Sequence, residues 1–166
     1  RDPWNILTVW CGCRSGAGVY RIFRTRGDWN NFTPRSEGQI LPQSPWTFVQ
    51  APCVFATPAG YTMIFTEGHD SGAVGALHQM SATCAADGNW AWARSGNLFL
   101  PNNPLGGWDG GQAYVASLLR GGPKYDTPIR IENTWHLYYS GYNFALSPNT
   151  AQAGLARLTT METAIL

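Results

Sequence analysis

The stretch from Phe48 to Gly68, Phe-Val-Gln-Ala-Pro-Cys-Val-Phe-Ala-Thr-Pro-Ala-Gly-Tyr-Thr-Met-Ile-Phe-Thr-Glu-Gly, is a strand-turn-strand phrase that the chain repeats. A short apolar run, Cys53 to Ala56, meets the turn residues Pro58-Ala59-Gly60 and returns as the aromatic-rich run Tyr61 to Thr66, which is the pattern of a β-hairpin. Trp135-His136-Leu137-Tyr138-Tyr139-Ser140-Gly141 repeats the returning strand, and Leu7-Thr8-Val9-Trp10-Cys11-Gly12 gives it a third time. Each copy leads through a polar loop into a strand that opens with small residues: Gly18 to Phe23, Gly75 to Met80 and Gly154 to Leu158. Three copies of one supersecondary unit predict a row of similar sheets in place of a single continuous one.

Composition agrees with many short strands joined by tight turns. Eight Trp, seven Tyr and seven Phe stand beside 19 Gly and 11 Pro in 166 residues, which favours an all-β chain over a helical bundle. The formal net charge is +1 and only 13% of residues are charged, so neither nucleic acid nor an anionic membrane is an expected partner. No apolar run approaches the roughly 18 residues that a membrane-spanning helix needs. The chain opens on Arg1 with no strand to partner Leu7–Gly12, so upstream sequence is expected. Cys11, Cys13, Cys53 and Cys84 have neither zinc-pair spacing nor the density of a disulfide framework; they read as small buried hydrophobes, with one disulfide left open.

Units are expected at about 6–43, 48–104 and 108–166. The first has strands at Leu7 to Cys11 and Val19 to Thr25, with Trp29 to Thr33 as its outer edge; Arg21 and Arg24 fall on opposite faces and are expected at the rim. In the second, strands are expected at Cys53 to Ala56, Tyr61 to Thr66, Ala76 to Ser81 and Trp90 to Arg94. Asp87-Gly88 supplies a tight turn between the last two, and Trp90 covers the outer edge. The third has Ala113 to Leu119, a polar insertion from Arg120 to Pro128, Trp135 to Ser140 and Gly154 to Thr159. Long insertions on a β scaffold commonly carry binding groups.

Four-stranded antiparallel units of this length are the blades of a β-propeller. The phrases Ala51-Pro52-Cys53-Val54-Phe55, Gly60-Tyr61-Thr62-Met63-Ile64-Phe65-Thr66-Glu67-Gly68, Gly75-Ala76-Leu77-His78-Gln79-Met80-Ser81 and Asp87-Gly88-Asn89-Trp90 resemble a blade of the five-bladed propeller glycosidases, the arabinanase, β-xylosidase and fructosidase superfamily. Trp135 to Gly141 and Arg1-Asp2-Pro3 look like phrases from the same families. The resemblance implies about three blades of a five-bladed propeller, with a site at the axis lined by the innermost strands. It also implies a pair of carboxyl groups flanking a glycosidic bond, one to protonate the leaving oxygen and one ionised opposite.

The general acid of those families stands just before a Pro-containing phrase, and the match here is Gln50 before Ala51-Pro52. Gln112 before Ala113 takes the corresponding place in the third unit. An amide has no titratable proton but both donates to and accepts from sugar hydroxyls, so recognition is favoured over cleavage. The remaining candidate catalytic acids are Asp2, Asp70 and Glu67; Glu67-Gly68-His69-Asp70 sets a carboxylate near an imidazole. Trp108, flanked by glycine pairs, is the exposed aromatic suited to stacking on a sugar, with Asp109 beside it and His69 completing the candidate binding set. The expected function is carbohydrate recognition on a glycosidase-like propeller, with a glycan or polysaccharide as partner and no cofactor or metal. Two alternatives stand beside it: an active glycoside hydrolase whose other acids lie in further blades, and a structural or adhesion subunit of a virion tail or extracellular assembly. Other chains would then cover the open blade edges. An extracellular or virion-associated setting fits all three.

Overall fold

A computed structural model describes residues 7–14, 19–27, 35–39, 46–68, 77–85, 90–100, 112–122, 126–142 and 152–159. All regular structure among them is antiparallel strand, in three principal sheets. The first sheet runs β1 (Leu7–Arg14), β2 (Tyr20–Gly27), β3 (Arg35–Gln39). Its third strand thus lies beyond the expected Trp29 to Thr33, which falls outside the described residues.

The second sheet runs in chain order through β4 (Phe48–Thr57), β5 (Gly60–Gly68), β6 (Leu77–Ala85) and β7 (Ala93–Leu100). Pro58 and Ala59 span the β4–β5 turn as expected, with Thr57 paired to Gly60. Several boundaries differ from the sequence reading, β6 ending at Ala85 and β7 at Leu100. β4 starts five residues before Cys53, because the Phe48–Gln50 segment pairs with Thr66–Gly68 across an irregularity that periodicity cannot reveal. The fourth strand begins at Ala93, and Trp90 precedes it with a φ of 55°. There its ring lies 5.0 Å from that of Tyr61, and the Arg24 guanidinium sits 5.2 Å from it. Trp90 is therefore packed as expected, whereas Arg24 is a stacking partner and not a rim residue.

The third sheet centres on β12 (Thr134–Tyr142), which pairs on one side with β13 (Gln152–Leu158) and on the other with β8 (Gln112–Leu118) and the short β11 (Arg130–Ile131). Glu132 and Asn133, at φ 50° and 63°, make the two-residue turn between β11 and β12, the left-handed geometry that suits a tight hairpin. The insertion before it is not a free loop in its described part. β9 (Arg120–Gly121) and β10 (Thr127–Pro128) form a small ladder. Ala56 N–H donates to Asp126 O at 2.8 Å and Arg120 Nη1 to Val54 O at 2.7 Å, which stitches the ladder to β4.

The sheets stack by a repeated contact. β4 lies against β1 and β2, and β8 lies across β4, β5 and β6. Two apolar clusters fill the two interfaces. Ile22 of the first sheet meets Val49, Met63, Phe65, Met80, Ala82, Cys84 and Trp92 of the second. On the opposite face, Cys53, Phe55 and Ile64 meet Ala116, Leu118 and Leu137 of the third. Alternation along β5 explains the division: Met63 and Phe65 point one way, Ile64 the other. Cys53 and Cys84 are both buried, as small hydrophobes would be. Arg21 lies on the side of the first interface, where its Nη1 donates to Trp46 O at 2.9 Å and Thr47 O at 3.2 Å. With Tyr20 N–H donating to Thr47 O at 2.8 Å, it fixes the chain entering β4, a role that rim placement does not describe.

Candidate functional site

The first strands of the second and third sheets carry the same defect at the same place. In β4, Gln50 pairs with Thr66 and Cys53 with Ile64, so Ala51 and Pro52 together face Phe65. In β8, Tyr114 pairs with Ser140 and Ala116 with Tyr139, so Val115 is the extra residue. These are β-bulges, and their extra residues, Ala51 at φ 55° and Val115 at φ 43°, stand in the left-handed region where glycine is the norm. A β-branched residue there is an outlier that the surroundings must enforce. Pro52 is tolerated because a bulge does not need its missing N–H.

Each bulge turns the side chain before it toward the neighbouring strand. Gln50 Nε2 donates to Tyr114 Oη at 2.6 Å, joining the two strands directly. The Tyr114 ring lies 6.1 Å from Phe48, and Phe48 lies 4.8 Å from Tyr20, so one aromatic line crosses all three sheets beneath the pair. Gly12 of β1 completes the close approach. A Cβ there would meet Gln50 Cβ at 2.8 Å, shorter than side-chain carbons tolerate. The first sheet thus comes within backbone distance of Gln50 only because residue 12 lacks a side chain.

Polar side chains of the second sheet hold the β8 bulge. Val115 N–H donates to Thr66 Oγ1 at 3.1 Å, while Gln79 Nε2 donates to the same oxygen at 2.8 Å and to Ala113 O at 3.2 Å. Thr66 and Gln79 are both fully buried. Ser140 Oγ donates to Tyr114 O at 2.8 Å from the other side. The chemical capacity of this place is that of paired amide and phenol groups beside apolar rings, which can hydrogen-bond hydroxyls and cover an apolar sugar face.

The sequence-derived candidates divide as follows. Gln50 lies in this site. Gln112 opens β8 opposite Tyr142, two residues before Tyr114, and Tyr114 is the residue that immediately precedes the bulge as Gln50 does in β4. This corrects the expectation that Gln112 is its counterpart. Tyr114 was missed because the Gln-Ala dipeptide attracts alignment while the bulge that sets the register leaves no mark in the sequence. Glu67 is not in a loop: it sits within β5, fully buried, where Arg94 Nε reaches its two oxygens at 3.1 and 3.0 Å and Arg94 Nη2 makes a further contact. His78 Nε2 lies 3.5 Å from the same carboxylate, and Trp46 meets the His78 ring edge-on at 5.8 Å. That cluster ties β5, β6 and β7 together beside the entry to β4. Asp2, His69, Asp70, Trp108 and Asp109 lie outside the described residues. Among the described residues, no group of three His, Cys, Asp or Glu side chains is placed to hold a metal ion.

No protein-family model and no curated protein sequence matches the chain. Solved structures do. A thermostable family-43 glycoside hydrolase superposes with a TM-score of 0.62 at 14% identity, over 94% of this chain and 51% of that one. An exo-1,5-alpha-L-arabinanase from a bovine ruminal metagenomic library superposes with a TM-score of 0.54 at 11% identity, over 95% of this chain and 55% of that one. The chain therefore shares its all-β fold of antiparallel sheets with these two glycoside hydrolase structures. The chain spans about half the length of the structures it matches.

Proposed function

We propose that this chain contributes a carbohydrate-recognition site on a glycosidase-like propeller, with Gln50 and Tyr114 as its centre. The observation that carries the reading is the 2.6 Å bond between these two side chains on the first strands of the second and third sheets, each preceding a strained bulge. An amide with two N–H donors and an accepting oxygen keeps capacity for ligand hydroxyls beyond that bond. The Phe48 and Tyr20 rings supply apolar support below it. A neutral site suits a neutral sugar, and the chain's low charge agrees.

Gln50 supplies no acid, and the Glu67 carboxylate is buried in the second sheet against Arg94. Hydrolysis is the second reading, favoured by the glycoside hydrolases among the structural matches; it requires acids among residues such as Asp2 and Asp70 or elsewhere in a longer protein. Binding to an array of plant and algal glycans tests the first reading. The chain is expected to bind, and Gln50→Ala and Tyr114→Phe are expected to lose binding while keeping the fold. Binding that survives both substitutions overturns the site. Release of reducing sugar by this chain would instead establish the second reading.

A further inference from the structure

We infer that Thr66 and Gln79 are positioning residues that set the Tyr114 phenol on Gln50 by fixing the β8 bulge; the inference rests on the recognition reading above. The Thr66 hydroxyl accepts the Val115 N–H that the bulge has taken out of the β8–β12 ladder, and Gln79 pins both that hydroxyl and the carbonyl of Ala113, two residues away. Ala113 and the strained Val115 are therefore tethered across the interface to the second sheet, on either side of the phenol-bearing Tyr114.

Two features separate this clasp from ordinary packing. Gln79 Oε1 is buried with no hydrogen-bond partner among the described residues, so the side chain keeps an acceptor out of water that an apolar residue would not. Local stability is thus sacrificed at the point where Val115 is also strained, and such coincidences mark functional positions. The repeat supplies the second feature. In the third sheet the cross-strand pair matching Thr66 and Gln79 is Ser140 and Ala153, so an amide at this place is not a requirement of the sheet itself.

The test uses the whole chain with Thr66→Val, Thr66→Ser and Gln79→Met, reading three quantities: the urea midpoint, amide hydrogen exchange at Val115, and glycan binding on the array. Thr66→Val is expected to speed Val115 exchange and weaken binding on the order of tenfold each, the effect of losing one net hydrogen bond, and Thr66→Ser to restore both. Gln79→Met, which removes the orphaned acceptor along with the amide, is expected to keep or raise the urea midpoint while binding falls. A purely structural role requires midpoint and binding to fall together. Unchanged exchange in Thr66→Val, or unchanged binding in Gln79→Met, overturns the inference. If the unaltered chain binds no glycan, the recognition reading fails, and the exchange data with Tyr114 ring shifts still decide whether Thr66 and Gln79 hold the bulge.

Discussion

The second and third sheets share a strand plan and differ in how many neighbours they have. Ile64 and Tyr138 occupy the same position in their middle strands, two residues before Thr66 and Ser140. Ile64 is fully buried because the third sheet covers it, whereas Tyr138 is 50% exposed. Leu155, paired with Tyr138 across the sheet, is 42% exposed, and Val115 at the β8 bulge 44%. Glu67 and Gly141 are likewise matched, and only the former needs a partner, Arg94. Among the described residues, one strand pattern thus serves both a sheet packed on two faces and a sheet packed on one.

That contrast can be attacked first at its costliest point. Arg94→Ala leaves the Glu67 carboxylate buried without its guanidinium and is expected to lose about 3–5 kcal/mol in urea unfolding, whereas the double substitution Glu67→Gln with Arg94→Met loses far less. Equal losses would mean that the ion pair carries no special weight. Next, Ile64→Ala should remove about 2–5 kcal/mol and Tyr138→Ala no more than about 0.5 kcal/mol as a surface substitution. A Tyr138 loss comparable to that of Ile64 would abolish the distinction between the two faces. Gly12→Ala, which presses on Gln50, is expected to cost about 1–3 kcal/mol and to weaken glycan binding. A gain is expected in one place: Val115→Gly relieves the left-handed strain and should stabilise by about 1 kcal/mol, with the urea midpoint rising.

Burial on both faces also explains what could be read from the sequence. β5 is buried at every position except Tyr61, and a doubly covered strand appears as an unbroken apolar run, so Tyr61 to Thr66 was the clearest element in the chain. The three-fold recurrence of its wording then located β1 and β12. Pairing over distance was not legible. Arg94 reaches Glu67 from 27 residues away on another strand, and Arg21 reaches Trp46 from 25, so both arginines looked like rim residues or strand ends. Gln50 stood out because it precedes Ala51-Pro52. Tyr114 was not, since its position follows from a bulge that adds one residue to the count, and nothing in Val115 itself announces a positive φ.

The near-collision at Gly12 has a consequence for how this place can change. It is the backbone of residue 12 against the Cβ of residue 50 that limits space, while the head group of Gln50 lies further out toward Tyr114. Lengthening or branching near the main chain is therefore closed off on both strands, yet exchange of the terminal NH2 for an oxygen adds no bulk where the crowding occurs. Steric pressure here guards the stem of the side chain and leaves its chemistry open, so that Gln50→Glu brings a proton-carrying group to the same spot by altering a single heavy atom.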